Sequence, residues 1–174
     1  MKRCVLSFAC VLLALAGLAQ AQTTTLTVAV APEAALSVAA ATTPLATTST
    51  NFSNPYTGTT AITYLIRTSK STGTGTITLQ ITSDFSGAGG PSVANPPTAG
   101  DALTYTCSVS APGTPCSGTQ TAATKSATAV GSFGAGANSS KSGNAGSVSW
   151  ALTDDPVYAT GTYSATATFT ISAA

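Results

Sequence analysis

Gly161-Thr162-Tyr163-Ser164-Ala165-Thr166-Ala167-Thr168-Phe169-Thr170-Ile171-Ser172 is the stretch on which the fold turns. Tyr163, Ala165, Ala167, Phe169 and Ile171 are apolar or aromatic, and every residue between them is Thr or Ser. Side chains of a strand point alternately to its two faces, so the run predicts a strand with one face on a core and the other in water. Threonine suits the wet face, because its β-branched side chain fits the pleat while its hydroxyl stays solvated.

The same period recurs upstream. Leu26, Val28 and Val30 alternate with Thr and Ala, and residues 34–39 either continue that strand beyond Pro32 or begin another. Ile62, Tyr64 and Ile66 alternate, with Leu65 on the opposite face; so do Ile77, Leu79 and Ile81, then Leu103, Tyr105, Cys107 and Val109, then Val148, Trp150 and Leu152. Residues 120–130 form a weaker, Ala/Thr-rich candidate. Ser71-Thr72-Gly73 separates the Ile62 and Ile77 runs, which predicts a hairpin between them. Stretches 83–100 and 131–146 are rich in Gly, Pro, Ser and Asn and read as loops, since strands resume after each. The pattern predicts an all-β protein, an antiparallel immunoglobulin-like β-sandwich of about seven or eight strands in one domain spanning 22–174. Trp150, Tyr163, Phe169 and Ile171 are its expected core residues, each on the apolar side of an alternating run.

Residues 1–21 read as a cleaved signal peptide. Lys2 and Arg3 form a basic start, an apolar run follows over 5–18, and Ala19-Gln20-Ala21 is an A-x-A site placing the cut between Ala21 and Gln22. The apolar run is shorter than the roughly 20 residues of a membrane-spanning helix, so no membrane insertion is expected once the leader is gone. The expected location is the periplasm, the cell surface or the medium. Of the 4 cysteines, Cys4 and Cys10 belong to the leader. Cys107 and Cys116 remain, and in an oxidising compartment that pair predicts one disulfide.

Beyond residue 21 there are five acidic side chains (Glu33, Asp84, Asp101, Asp154, Asp155), four basic ones (Arg67, Lys70, Lys125, Lys141) and no histidine. About one position in three is Ser or Thr. A chain this neutral offers no electrostatic footprint for nucleic acid. Serine is abundant, but a nucleophilic serine needs a base, and the lysines are only sequence neighbours of serines (Ser69-Lys70, Lys125-Ser126, Lys141-Ser142). Adjacent Asp154 and Asp155 before Pro156 read as turn formers. They are also the carboxylates from which a calcium site would have to be built, yet no spaced acidic loop is present. Asp84 and Asp101 lack any spacing that marks a carboxylate pair for glycoside hydrolysis. No enzymatic activity, catalytic residue, cofactor or metal is expected.

The segment from Trp150 to Ile171, ending Gly-Thr-Tyr-Ser-Ala-Thr-Ala-Thr-Phe-Thr-Ile, resembles the terminal strands of bacterial secreted immunoglobulin-like modules, among them fimbrial-subunit and spore-coat-U-type domains. The resemblance implies surface assembly, in which an extended segment of one subunit completes the sheet of the next. Uncharged, alternating residues 22–30 read first as an ordinary first strand and second as such a donor. The function expected from the sequence is therefore a non-enzymatic, secreted structural or adhesive module. Its alternatives are a pilin-like subunit that polymerises by strand exchange and a glycan-binding module that uses Tyr56, Tyr158 or Phe133. Self-association, other surface proteins and glycans are the expected partners.

Overall fold

In a computed structural model describing residues 23–48, 50–93 and 101–174, the alternating runs become strands of two antiparallel sheets. The leader, with the Ala21–Gln22 cleavage site, lies outside the described residues. In chain order the strands are β1 (Glu33–Val38), β2 (Tyr56–Arg67), β3 (Gly75–Ser83), β4 (Leu103–Val109), β5 (Thr114–Pro115), β6 (Gln120–Thr121), β7 (Thr128–Phe133), β8 (Asn144–Leu152) and β9 (Thr166–Ala173). One sheet has the order β1-β2-β8-β4-β6 and the other β5-β7-β3-β9. The protein is thus an all-β sandwich without helices among the described residues. The strands exceed the expected number because β5 and β6 are two-residue pairings, too short to leave a period in the sequence.

The apolar faces meet between the sheets. Ile62, Tyr64, Ile66, Val148, Trp150, Leu103 and Tyr105 from one sheet pack with Ile77, Leu79, Ile81, Val130 and Phe133 from the other. Tilted ring pairs join Tyr64 to Phe133 (centroids 5.1 Å apart) and Tyr105 to Trp150 (5.6 Å). Aromatic pairs of this kind add to the stabilisation from buried area. Buried polar groups are partnered: the Trp150 Nε1–H donates to Thr60 Oγ1 at 2.8 Å, whose hydroxyl meets that of Thr43 at 2.6 Å. The Tyr105 hydroxyl reaches Ala129 O at 2.8 Å, and the Tyr64 hydroxyl donates to Ser110 O.

Two sequence expectations are corrected. The Ile62 and Ile77 runs do not form a hairpin. β2 pairs with β1 and β8, whereas β3 pairs with β7 and β9, so the chain crosses from one sheet to the other through residues 68–74. Buried Thr68 fixes that crossing, its hydroxyl donating to Gly134 O and accepting from Ala137 N–H. An apolar period is the same for a hairpin within a sheet as for an arch between sheets, and only contacts distant in sequence separate the two. The second correction concerns residues 26–30, which pair with no strand. β1 starts at Glu33, opposite Arg67, the last residue of β2; beyond it the partner chain has turned away.

Cys107 and Cys116 form the expected disulfide, with Cα atoms 5.5 Å apart. Cys107 lies on β4 and Cys116 directly follows β5, so the bond straps one sheet to the other. Trp150 is buried, while Phe169 and Ile171 are half-buried against the core. Tyr163, half-buried as well, precedes β9, and its ring occupies the space that a side chain on Gly90 would need. One of the two Gly-rich loops thereby serves as the bed for Tyr163.

Candidate functional site

β1 is the edge of its sheet and β9 the edge of the other. The two edges approach one another on the same side of the sandwich but exchange no ladder bonds. On β9 the inward residues Ala167, Phe169, Ile171 and Ala173 are only half-buried, although the inward residues of neighbouring β3 (Ile77, Leu79, Ile81) are fully covered. On β1 the inward Ala34 and Leu36 are likewise half-buried. An apolar seam therefore runs between β1 and β9, where the core reaches the surface.

The open edge of β9 lacks the charge and proline that commonly protect an edge, and the one irregularity in its pairing with β3, between Ile81 and Ser83, lies at the Thr166 end. Exposed edges are ordinarily blunted by charge, proline, a bulge or a covering loop. β9 reads TATFTISA, eight residues without charge or proline. β1 has a single charge, Glu33, at its start.

A second feature lies at the end of β1. Residues 23–31 belong to no strand and are exposed, with Leu26 at 91%, Val28 at 85% and Val30 at 63% exposure. Between them and β1 the chain makes no turn or bend, and Val30, Ala31 and Pro32 line a shallow cavity with residues 67–70, Gly136 and Asn138. Their alternation, Leu26, Val28 and Val30 against Thr25, Thr27 and Ala29, is that of a half-buried strand whose buried side has nothing to cover it. At its root, the Arg67 Nε–H donates to Ala31 O at 2.8 Å and the guanidinium Nη2 pairs with Glu33 Oε2 at 2.9 Å. Signal in the sequence marked both halves of this arrangement, since residues 26–30 and 163–171 are its clearest alternating runs; what it lacked was which runs find partners.

The residues singled out for chemistry lie elsewhere. Asp84 organises its own loop, accepting the Phe85 N–H (2.9 Å), the Val93 N–H (2.8 Å) and the Ser92 hydroxyl (2.6 Å). Asp155 shapes a turn by accepting the Val157 N–H through its carboxylate at 2.9 Å. Asp101 accepts from the Tyr158 hydroxyl at 3.1 Å. Burial, then Asp101, then Asp155 and Asp154 push the Tyr158 phenol above its ordinary range. Burial, then the nearby Asp154 carboxylate, does the same for Tyr56. Among the described residues, no three His, Cys, Asp or Glu side chains are placed to hold a metal ion. Phe133, expected as a glycan-stacking candidate, is buried against Tyr64 and offers no face to a sugar.

No family model, curated protein or solved structure matches this chain.

Proposed function

We propose that this protein is a secreted, non-enzymatic structural subunit that assembles by strand complementation, residues 23–31 of one copy entering the β1–β9 seam of another. The observation that carries the reading is the coexistence in one molecule of an exposed segment with strand-like apolar alternation and an uncharged, half-covered apolar edge of matching length. Nine arm residues reach about 30 Å when extended, at ~3.3 Å per residue, enough to run the length of eight-residue β9. Insertion satisfies the open backbone groups of β9 through main-chain hydrogen bonds and places Leu26, Val28 and Val30 beside Leu36, Phe169 and Ile171. Neither the arm nor β9 carries a charge, so neither resists desolvation as a charged surface would.

The test is deletion of residues 22–30 from the secreted protein, followed by light scattering after gel filtration. The truncated chain is expected to keep its cooperative unfolding transition and to run as a monomer, while the intact chain forms larger species. Equal assembly by both proteins would remove the proposal.

A further inference from the structure

Resting on that reading, we infer that the root of the arm is built to keep it out of its own seam, so that the occupant is always the arm of a second copy. To fill its own seam along β1, the arm would have to reverse direction at Val30-Ala31-Pro32-Glu33 and run back antiparallel to β1. Tight reversals between strands use turns with positive φ, supplied by Gly, Asn or Asp. None of these occurs in the four residues. Pro32 locks its own φ near the extended-compatible value of about −65°. It also biases the preceding Ala31 away from helical backbone towards an extended one.

Arg67 reinforces this from the side. Its Nε–H holds the carbonyl of Ala31 and its Nη2 holds the carboxylate of Glu33, so one guanidinium grips the chain on both sides of Pro32. The rigid, planar donor fork of arginine suits a two-point grip of this kind. Arg67 ends β2 and pairs in register with Glu33, which ties the direction of the arm to the sheet. Pro32 and this grip together favour a chain that runs on from β1 over one that doubles back into the seam. Growth in trans is the consequence: each copy presents one free arm and one vacant seam, a head-to-tail arrangement that adds copies into a filament or a ring according to the rotation between them.

The experiment replaces Ala31→Asn and Pro32→Gly together, which supplies a two-residue reversing turn, and separately Arg67→Gln. Each full-length mature protein is dissociated, refolded at matched concentration and sized by light scattering. Limited proteolysis of the isolated monomers then reports how exposed the arm is. With the turn installed, the monomer fraction is expected to rise several-fold and cleavage within 23–31 to slow by tenfold or more, as the arm folds back; Arg67→Gln is expected to shift both in the same direction by less. Assembly and arm cleavage unchanged by Ala31→Asn/Pro32→Gly would overturn the hinge. Wild-type protein that stays monomeric refutes strand complementation instead. Even then, the proteolysis comparison decides the hinge, a protected arm in the turn variant supporting it and an equally exposed one sinking it.

Discussion

Trp150 shows how a single polar atom in the core is accommodated. Its indole N–H is buried and has Thr60 Oγ1 as its partner, and Thr60 in turn meets Thr43, so three side chains from β8, β2 and the segment after β1 form one short chain. Thr60→Val keeps the shape and removes the acceptor. Leaving a buried donor unpaired costs about 1–3 kcal/mol, so the urea midpoint should fall accordingly. Trp150→Phe in the Thr60→Val background should cost less than the sum of the two single changes, because both act on the same bond. The burial of Trp150 was readable from its place on an alternating strand; its partner was not, since Thr60 lies 90 residues away. Tyr158 makes a second prediction. Its phenol donates to Asp101 in an environment that disfavours the phenolate, so its folded pKa lies above the 10.0 of an unperturbed tyrosine. A group with a raised folded pKa contributes stability that is complete below its unfolded value and is lost as pH climbs through the folded one. Buried Tyr105 and Tyr64 shift in the same direction, burial again being the main cause. Melting temperature should therefore fall above about pH 10, and Tyr158→Phe should flatten part of that decline. A variant as alkali-sensitive as wild type would assign the loss to the other tyrosines.

Among elements, the disulfide expected from the sequence acts in the fold as a strap between the β4 and β5 regions. Cys107 and Cys116 are only 9 residues apart in sequence. In the fold, β4 belongs to one sheet and β5 to the other, so the bond crosses the sandwich at the edge where β5 contributes only two residues to its pairing with β7. Replacing both cysteines by Ala should lower stability by about 2–3 kcal/mol on the loop-closure account. Amide exchange should rise first at β5 and at Cys116, whose N–H donates to Val130 O, and only later in β3 and β8; uniform exchange along the chain would show that the bond does not act as a strap. The limits of the sequence reading are set by the same physics. Alternation identifies a strand and its buried face, as it did for β3, β4, β8 and β9, because burial of one face is a local property of the strand. It is silent on which edge pairs with which. That is why β2 and β3 read as a hairpin, and why residues 26–30 read as a paired strand when β2 ends too early to reach them.

Taken as a whole molecule, the chain places no charge on the arm or on β9, the Glu33–Arg67 pair at the arm's root being the charged element nearest the proposed contact. The outward faces of the sheets bear Thr57, Thr59, Thr63, Ser147, Ser149, Thr104 and Thr106 on one side and Thr76, Thr170 and Ser172 on the other. Hydroxyls also pair across strands, as between Thr76 and Ser172 at 3.0 Å and between Thr82 and Thr168 at 2.8 Å. Such faces stay wetted without charge, broken by exposed Leu65 on β2, while the seam joins several half-buried apolar side chains of two strands. Half of the candidate site was legible from the start, because exposed and buried strands share one apolar grammar. That the arm is unpartnered and the seam half-covered follows only from three-dimensional neighbours. The lack of charge on the arm and on β9 has a measurable consequence. Electrostatic association weakens steeply as salt screens it, over a Debye length of about 10 Å at 0.1 M falling to about 3 Å at 1 M. Association through uncharged strand and apolar seam has no such term, and apolar burial is if anything strengthened by kosmotropic salts. The assembled fraction at fixed protein concentration should therefore hold constant from about 0.05 to 1 M sodium chloride and rise in sulfate. The exposed Arg67–Glu33 pair is the element of the site that salt can loosen, so the hinge, and not the contact, is where any dependence on sodium chloride should originate. Dissociation on adding chloride to the Arg67→Gln protein would place charge elsewhere in the interface and count against the seam as the contact.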